Sequence, residues 1–257
     1  MDKEQLRELI DFAEKLAGDA GKITLKYFKS GVQVELKQDR TPVTIADRET
    51  EQYIRNQITD RYPDHSVVGE EHGAANKSSE WKWIIDPIDG TKAFIHGIPL
   101  YTVLIGLVLN DVPVAGIIHN PVLEETVAAG TGLGCTLNGS PCKVSTQRRF
   151  SESKIHATDA AHLYTRYPDF TRRLLSSCGS LRTWADGYGY LLVASGRADG
   201  MLDPIMSLWD IAPLKPVIKE AGGVFTSITG KDENLGTSAA AGNPFIHAEI
   251  LKCHEES

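Results

Sequence analysis

The chain has 257 residues, 41% of them hydrophobic, and a formal net charge of −7. This length and hydrophobic content are sufficient for a large buried core, in one unit or in two that share an interface. The acidic balance argues against a nucleic-acid partner bound through a broad basic face. The four widely spaced cysteines contain no CxxC pair. We therefore expect free thiols in a reducing cytosol rather than a zinc site or a disulfide framework.

The first residues of the chain are charged, and no apolar run approaches the length that spans a membrane. We therefore expect a cytoplasmic protein that has no membrane partner. Residues 3–28 place apolar side chains at helical spacing, which predicts an amphipathic helix. Residues 32–36 alternate between apolar and polar side chains, which predicts a half-exposed strand, and a turn is predicted at 39–42.

A second helix is predicted from Thr44 to about residue 62. Thr44 is a favourable N-cap residue, and Asp47 follows three positions later, as in a capping box. Asp47 therefore has two interpretations. It is either a structural cap or a carboxylate that points from the helix start into a neighbouring site.

A short predicted strand at residues 66–68 leads into the segment Gly-Glu-Glu-His-Gly at 69–73. Glu70 follows the strand end directly, where a metal ligand at a strand tip would lie. Adjacent acidic residues in a loop are usually solvated, and this is the expectation for Glu71.

The segment Trp-Ile-Ile-Asp-Pro-Ile-Asp-Gly-Thr-Lys-Ala-Phe at 83–94 carries most of the chemistry. Its apolar start predicts a buried strand, which Asp86 and Asp89 follow with the carbonyl of Ile88 between them. This set of oxygen ligands suits Mg²⁺. Gly90 has no side chain, so a phosphate could approach the backbone N–H groups closely. The alternative is an ordinary polar turn, since Asp-Pro and Asp-Gly are common turn dipeptides.

The rest of the chain alternates between β-rich and helical patterns. Residues 100–109 and 112–119 predict a hairpin. Strands are predicted at 125–129, 135–137 and 198–202, helices at 170–177 and 188–195, and short elements at 224–227, 238–241 and 246–250. A helix is predicted over 208–221, with Pro213 tolerated in its first turn and Pro216 expected to kink or tighten it. Asp210 lies at its start, where the helix dipole favours an acid.

Three motifs occur in order along the chain: Glu70 within Gly-Glu-Glu-His-Gly, the run Asp-Pro-Ile-Asp-Gly-Thr from Asp86, and Trp209-Asp210 followed by Glu-Ala-Gly-Gly. In this combination the sequence resembles the inositol monophosphatase superfamily of Mg²⁺-dependent, lithium-sensitive phosphatases. The resemblance covers nearly the whole chain. It implies an α/β fold, the αβαβα five-layered sandwich, with residues 1–257 as a single unit. A division into a metal-site half, 1–150, and a substrate-lid half, 151–257, is the alternative.

The resemblance also implies roles for individual residues. The metal ligands would be Glu70, Asp86, the Ile88 carbonyl, Asp89 and Asp210. Glu70 and the Thr91 hydroxyl would hold the attacking water. Asp47 would contact and orient Thr91, and these two residues would together orient and deprotonate that water. The substrate phosphate would lie beside Lys37, Asp89, Gly90, Thr91, Lys92 and Asp210. Two Mg²⁺ ions are expected, with a third, weaker one in contact with Asp47 or Glu70.

Three departures from the inositol-phosphatase pattern resemble the histidinol-phosphate phosphatase branch. They are Lys-Ala-Phe after Thr91, Asp186 between Arg182 and the next helix, and Met-Leu-Asp-Pro-Ile-Met-Ser-Leu before Trp-Asp. Histidinol phosphate carries an ammonium group that Asp186 or Asp203 could pair with, whereas inositol needs only hydroxyl partners. Asp186 could instead cap a helix, and Asp203 could simply precede a proline turn. Arg182 is either a partner for phosphate or carboxylate or an ordinary surface arginine.

We therefore expect a Mg²⁺-dependent phosphomonoesterase that hydrolyses a small phosphorylated metabolite, L-histidinol phosphate, in histidine biosynthesis. Inositol 1-phosphate and 3′-phosphoadenosine 5′-phosphate are the alternative substrates, and the nucleotide should need an adenine-stacking platform that the sequence does not reveal. A regulatory protein that binds RNA-linked machinery is the non-enzymatic alternative, against which the complete ligand set argues. A homodimer is expected by analogy with the family.

Overall fold

The computed structural model describes residues 2–37, 41–75 and 79–255. Its helices are α1 (Lys3–Tyr27), α2 (Ile45–Arg61), α3 (Thr91–Ile95), α4 (Ala160–Arg166), α5 (Pro168–Ser177), α6 (Asp186–Ala194), α7 (Leu208–Glu220) and α8 (Pro244–Glu255). Its strands are β1 (Val34–Leu36), β2 (Pro42–Thr44), β3 (Ser66–Gly69), β4 (Gly73–Ala75), β5 (Trp81–Asp89), β6 (Thr102–Leu109), β7 (Val112–Asn120), β8 (Glu125–Gly130), β9 (Gly134–Leu137), β10 (Ser140–Pro141), β11 (Lys154–Ala157), β12 (Ser180–Arg182), β13 (Gly200–Asp203), β14 (Val224–Thr226) and β15 (Ala239–Gly242). Within these described ranges, no helix is both long enough and apolar enough to cross a membrane.

The strands form two main sheets and one small ribbon. The larger sheet has eight strands in the order β10-β9-β8-β7-β6-β5-β3-β4, in which β3 and β5 are parallel. The smaller has five in the order β12-β11-β13-β15-β14, in which β11 is parallel to β12 and to β13. The ribbon is the antiparallel pair of β1 and β2. The two main sheets lie on either side of residue 150 in the sequence, and the division of the chain at that point stays a prediction.

The helices and the two main sheets form five layers, and three hydrophobic clusters lie between them. In the first, α1 and α2 pack on the larger sheet through buried residues such as Leu6, Ile54 and Ile105. The second lies between the sheets, where α6 and α7 pack against residues of both, including Leu104 and Ala241. In the third, α5 and α8 pack on the outer face of the smaller sheet. The predicted αβαβα fold is confirmed, and the shared middle cluster holds its two halves together.

Helix α7 lies very close to the larger sheet. A Cβ atom on Gly116 would lie 1.9 Å from the carbonyl oxygen of Pro213, and a Cβ atom on Gly106 would lie 2.8 Å from the nitrogen of the same proline. Only glycine permits this approach. Helix α7 runs through Pro213 and Pro216, so Pro213 lies beyond the first turn in which we predicted it. The start of α7 thereby lies beside the C-terminal end of β5.

Several elements differ from the predictions. Strand β1 is exposed along its length rather than half-exposed, because it pairs only with β2 outside both main sheets. Helix α4 and strands β11 and β12 were not predicted. The short element predicted at 246–250 is part of α8, which Asn243 caps by accepting hydrogen bonds from the N–H groups of Phe245 and Ile246. The predicted turn at 39–42 lies partly outside the described residues.

Candidate active site

A cavity of about 530 Å³ is lined by segments from both halves of the chain. One side, which we call the carboxylate wall, consists of Glu70, Asp86, Asp89 and Asp210. A second side, which we call the loop wall, consists of Thr158, Asp159, Trp184 and Asp186. The carboxylate wall comes from the ends of β3 and β5 and the start of α7. The loop wall comes from the segments that precede α4 and α6.

An irregularity in β5 places two carboxylates on one side of the strand. In a regular strand, residues three positions apart point to opposite faces. Here Asp86 is paired with Leu104 and Asp89 with Thr102, so three steps along β5 match two steps along β6. The extra residue is a β-bulge. It turns Asp86 and Asp89 toward the same site.

Asp89 is anchored through one of its two oxygens. The hydroxyl of Thr102 donates a hydrogen bond to Oδ2 at 3.0 Å, and the backbone N–H of Gly187 donates to the same oxygen. A Cβ atom on Gly187 would lie 2.4 Å from that oxygen, so only glycine fits there. These bonds link the end of β5 to the start of α6 and hold the Asp89 carboxylate in place at the cavity.

Glu70 is brought beside Asp86 by strand pairing. Strands β3 and β5 are parallel, with Gly69 opposite Ile85, so the next residues along both strands are neighbours. The Glu70 N–H donates to the Ile85 carbonyl at 3.2 Å. The side chain of Glu70 contacts Lys37, whose Nζ lies 2.6 Å from Oε1.

Asp210 reaches the same point from α7. It belongs to a capping box, in which the Ser207 N–H donates to Oδ2 at 2.7 Å. One ligand oxygen from each of Asp86, Asp89 and Asp210 lies within 4.8 Å of the other two. Among the described residues, the structure thus brings together three of the four predicted metal-binding carboxylates, and the fourth, Glu70, lines the same cavity.

The carboxylate wall holds more negative charge than its surroundings balance. Burial, and then repulsion from Glu70, Asp89 and Asp210, raise the pKa of Asp86 well above its ordinary value. Burial and the charge of Asp89 do the same to the pKa of Asp210. Burial raises the pKa of Asp89 to about 6. A divalent cation with a preference for hard oxygen ligands would remove this repulsion, so the residues present fit a divalent metal.

Thr91 and Asp47 do not make the contact that we predicted. The hydroxyl of Thr91 donates to the carbonyl of Ile88 at 3.0 Å rather than to Asp47. Asp47 closes the capping box of α2, where its Oδ2 accepts from the N–H and the hydroxyl of Thr44, each at 2.7 Å. Burial raises the pKa of Asp47 to about 6. Gly90 lies between strand and helix with a φ of 81°, a conformation that glycine adopts without strain.

The expectation that Glu71 is exposed to solvent is wrong. Its side chain is only 6% exposed, and its Oε1 lies 2.5 Å from Nζ of Lys37. Burial raises the pKa of Glu71 to about 7. Burial lowers the pKa of Lys37, but hydrogen bonds with Glu70 and Glu71 outweigh it and raise that pKa overall. Lys37 therefore fixes two carboxylates beside the site, a contact that loop composition could not reveal.

The residues predicted to recognise the substrate fall into two groups. Asp186 and Lys92 line the cavity. Burial, and then the charge of Asp89, raise the pKa of Asp186 to about 8, while Lys92 acts in the opposite direction. Arg182 is exposed and donates to the carbonyl of Leu181 at 2.9 Å, and it is not among the described residues that line the cavity.

Asp203 lies behind the loop wall rather than in it. Its carboxylate is 8% exposed and accepts a hydrogen bond from the hydroxyl of Thr158 at 2.7 Å. Burial raises its pKa well above the ordinary value. Asp203 thus supports a residue of the cavity, and the structure gives it no direct access to a substrate.

Three residues of the loop wall were not predicted from the sequence: Thr158, Asp159 and Trp184. Asp159 caps α4 by accepting from the N–H groups of Ala161 and His162 at 2.8 and 3.1 Å. Trp184 is 40% exposed and lines the cavity. The Thr-Asp-Ala start of α4 was a readable N-cap signal. No local pattern marks Trp184, because its exposure depends on the packing of two distant loops.

Comparison with known proteins gives a consistent result. The sequence model of the inositol monophosphatase family matches residues 5–256. A histidinol-phosphatase from Chlorobaculum parvum is 42% identical over 226 residues, which are 86% of this chain and 86% of the relative. A histidinol-phosphatase from Mycobacterium tuberculosis is 34% identical over 247 residues, which are 92% and 94% of the two chains. The crystal structure of the extragenic suppressor protein suhB from Bartonella henselae superposes with a TM-score of 0.92 at 28% identity, covering 97% of this chain and 99% of the other.

The layered fold, the cluster of carboxylates and these similarities together define a metal-dependent phosphomonoesterase. The chain belongs to the inositol monophosphatase family. The resemblance read from the sequence motifs is thereby confirmed.

Proposed function

We propose that this protein hydrolyses L-histidinol phosphate to L-histidinol and phosphate, with Mg²⁺ as its cofactor. The observation that carries the proposal is the presence of two kinds of carboxylate in one cavity. Asp86, Asp89 and Asp210 form a cluster suited to divalent cations, and Asp186 lies on the loop wall at the same cavity. The first group would hold the cations that bind the phosphate, and Asp186 would pair with the positive charge of the leaving group.

Bound divalent cations would polarise the phosphate and supply an acidified water molecule. The protein's own groups position the reactants. Glu70 and the Thr91 hydroxyl hold the attacking water by accepting hydrogen bonds from it, since that hydroxyl already donates to Ile88 and keeps its lone pairs free. Lys37 holds Glu70 in place through the ion pair. The backbone N–H groups that follow Gly90 stabilise charge on the phosphate oxygens as the ester bond breaks.

The Mg²⁺ count and the role of Asp47 are part of the proposal. We expect two Mg²⁺ ions at the carboxylate wall, with a third, weaker one at Glu70. The buried capping box leaves Asp47 to act on this site through the start of α2 rather than as a direct partner of Thr91. Inhibition by lithium is expected, as the family resemblance implied.

The charge of the loop wall favours a cationic leaving group. Asp186 and Asp159 both line the cavity, and the negative charge of Asp159 adds to burial and to the charge of Asp89 in disfavouring the ionised form of Asp186. An ammonium group would relieve this repulsion, whereas the hydroxyl groups of inositol would not. The similarity to two proteins described as histidinol-phosphatases supports the same choice. Lys92 then faces the phosphate, and Arg182 remains at the surface.

The nucleotide 3′-phosphoadenosine 5′-phosphate is the second candidate, because the structure changes one argument against it. The sequence revealed no platform for an adenine ring, but Trp184 presents an exposed aromatic side chain at the cavity. Asp159 and Asp186 argue against this substrate, since its second phosphate would add negative charge to an acidic wall. Inositol 1-phosphate is supported by relatives described as inositol monophosphatases, such as one from Synechocystis at 35% identity, but the acidic loop wall offers its hydroxyl groups no charge to pair with.

We further propose a cytoplasmic homodimer that binds neither nucleic acid nor membrane. The supports are the family analogy, the net charge of −7 and the lack of a membrane-spanning helix in the described residues. The pathway, histidine biosynthesis, follows from the proposed substrate alone.

Phosphate release from three substrates in parallel tests the proposal. L-Histidinol phosphate, inositol 1-phosphate and 3′-phosphoadenosine 5′-phosphate would be compared by kcat/KM with Mg²⁺ and with a chelator. We expect a preference for histidinol phosphate of about a hundredfold, which corresponds to about 2.7 kcal/mol of differential transition-state binding. A flat profile, or activity that survives the chelator, would contradict the assignment.

A further inference from the structure

Trp184 is in an unusual position for a large aromatic residue. Its side chain is 40% exposed and lines the cavity, so it contributes little to the core. Its φ angle is +63°, in the left-handed region that bulky residues rarely adopt. The backbone therefore pays a conformational cost to hold an exposed indole at this point.

Among the described residues, seven that are not glycine have positive φ. Five of them do not line the cavity: Lys29, Asn110, Asp111, Glu124 and Asn138. The other two, Trp184 and Asp186, lie within three residues of each other on the loop wall. Strain of this kind persists where the surrounding structure imposes it, and it collects at ligand sites. Asp186 already has a proposed role in recognition, and Trp184 shares its conformation and its cavity.

The surroundings of Trp184 indicate what it would contact. The imidazole ring of His96 lies 5.6 Å from the indole at an interplanar angle of 66°, an edge contact that restrains the indole. Asp159 and Asp186 lie on the same wall. An aromatic face beside two carboxylates suits a flat ring that carries positive charge.

We propose that Trp184 determines specificity by stacking on the imidazole ring of the leaving group, while Asp186 pairs with its ammonium group. This inference rests on the proposed function, because it takes histidinol phosphate as the substrate. It adds a residue and a contact that separate recognition of the ring from recognition of the amine.

A matched pair of substrates isolates the ring. L-Histidinol phosphate and L-alaninol phosphate share the phosphate and the ammonium group, and only the first has an imidazole. Trp184→Ala should lower kcat/KM for histidinol phosphate by about tenfold and that for alaninol phosphate by less than about threefold. Trp184→Phe, which keeps an aromatic face, should retain most of the activity on both.

The outcomes distinguish the two proposals. Equal losses on both substrates, or no loss on either, would overturn the role of Trp184 while leaving the proposed function intact. A wild-type protein that prefers inositol 1-phosphate or the nucleotide over histidinol phosphate would overturn the proposed function itself. A selective loss on histidinol phosphate supports stacking, because a merely structural role of Trp184 would lower both rates together.

A second, independent feature lies at the far edge of the larger sheet. Cys135 in β9 and Cys142, directly after β10, are opposite each other, since Pro141 pairs with Thr136. The Cys142 N–H donates to the Cys135 carbonyl at 3.0 Å, and the two sulfur atoms are 3.5 Å apart. Directly opposed residues of an antiparallel pair have Cα atoms about 4.5–5.5 Å apart, which is within the usual range for a disulfide.

We infer that Cys135 and Cys142 form a reversible disulfide when the protein meets a peroxide. Cys142 is half-buried and Cys135 is buried, so Cys142 reacts first. Its sulfur attacks one peroxide oxygen, the O–O bond breaks, and a sulfenic acid forms with release of water or an alcohol. The sulfur of Cys135 then attacks this sulfur, and a second water leaves. Two thiols lose two hydrogens, and the peroxide is reduced.

Cys142 is the more accessible of the two thiols, and a hydrogen bond links its sulfur atom to that of Cys135. The chain continues from this point to the middle layer, where the Val144 N–H donates to the carbonyl of Ala221. A disulfide would therefore link β9 covalently to residue 142, where the chain leaves the larger sheet and crosses toward the smaller one.

Treatment of the folded protein with hydrogen peroxide tests this inference. We expect two of the four thiols to be lost, a peptide linking Cys135 to Cys142 in mass spectra, and full recovery with a dithiol reductant. Cys142→Ser should abolish the linked peptide and leave Cys178 and Cys253 unchanged. Four thiols that remain free, or separate sulfinic acids on Cys135 and Cys142, would overturn the inference.

Discussion

The carboxylate wall and the loop wall of the cavity are built in different ways. Asp86, Asp89 and Asp210 come from a strand and a helix start that are anchored in the core. The loop wall comes from connections between elements, and two of its residues adopt left-handed backbone conformations. The rigid wall suits chemistry that is common to many phosphate esters. Substitutions in the loop wall can change which leaving group is preferred without disturbing the fold.

Removing one metal ligand should have the largest effect. Asp89→Asn keeps the shape of the side chain but removes ligand charge, so Mg²⁺-dependent hydrolysis should fall by about a thousandfold or more on every substrate. The kcat/KM values at several Mg²⁺ concentrations check this, and circular dichroism should show a retained fold. Near-wild-type turnover would refute the assignment of the carboxylate wall.

Disturbing the packing of α7, which carries Asp210 of the carboxylate wall, should have the next largest effect. Gly116→Ala would place a Cβ atom 1.9 Å from the Pro213 carbonyl oxygen, so α7 must shift. We expect a loss of about 2–4 kcal/mol in the free energy of unfolding. Activity should fall by the same factor on all substrates, because α7 carries Asp210. Urea denaturation measures the change in stability.

Gly18→Ala is the matched control for this substitution. Nothing lies within 4 Å of a Cβ atom at Gly18, which is inside α1. This change should stabilise the protein by up to about 1 kcal/mol, because alanine favours the helix. If both variants behaved alike, the close contact of α7 with the sheet would not be the cause.

Breaking the loop wall should change selectivity rather than general activity. Asp186→Asn suits the positive φ at this position and removes only the charge. We expect kcat/KM for histidinol phosphate to fall by about 10- to 100-fold, with less than about a threefold change for p-nitrophenyl phosphate. Equal losses on the two substrates would assign Asp186 a structural role.

The pH dependence of that selectivity sharpens the test. In the metal-free protein, burial and then the charge of Asp89 raise the pKa of Asp186 to about 8. Bound Mg²⁺ would offset the charge of Asp89 and lower this pKa, but Asp186 would still gain negative charge as the pH rises through it. The preference of the wild-type protein for histidinol phosphate should therefore increase from pH 6 to pH 8. The Asp186→Asn variant should show no such increase in the ratio of the two kcat/KM values.

Metal removal should give the smallest change, and one that depends on pH. Burial raises the pKa of Asp89 from 3.8 to about 6, so this carboxyl stabilises the metal-free fold only while it is protonated. That contribution is lost as the pH rises through about 6. Mg²⁺ binds the ionised form, so the increase in Tm between chelator and Mg²⁺ should be larger at pH 8 than at pH 5. Differential scanning fluorimetry measures it, and an equal increase at both pH values would contradict this linkage.

Much of the carboxylate wall could be predicted because its residues are close in sequence to regular elements. Asp86 and Asp89 follow a continuous apolar strand, and Asp210 starts a helix, so each element end was readable. The bulge that turns both aspartates to one side was not readable, since it is defined by pairing with β6. The burial of Glu71 was also not readable, since it depends on a contact with Lys37, which is 34 residues away in the sequence.

From the sequence by itself, local periodicity predicted most helices and strands, and three short motifs carried the family resemblance that implied the layered fold, the class of chemistry and the acids expected to perform it. Only the tertiary structure decided the rest. It assigned Thr91 to Ile88 rather than to Asp47, placed Asp203 behind the cavity, and exposed Trp184 within it. These outcomes depend on which distant segments pack together, and contacts between distant segments leave no local pattern in a sequence.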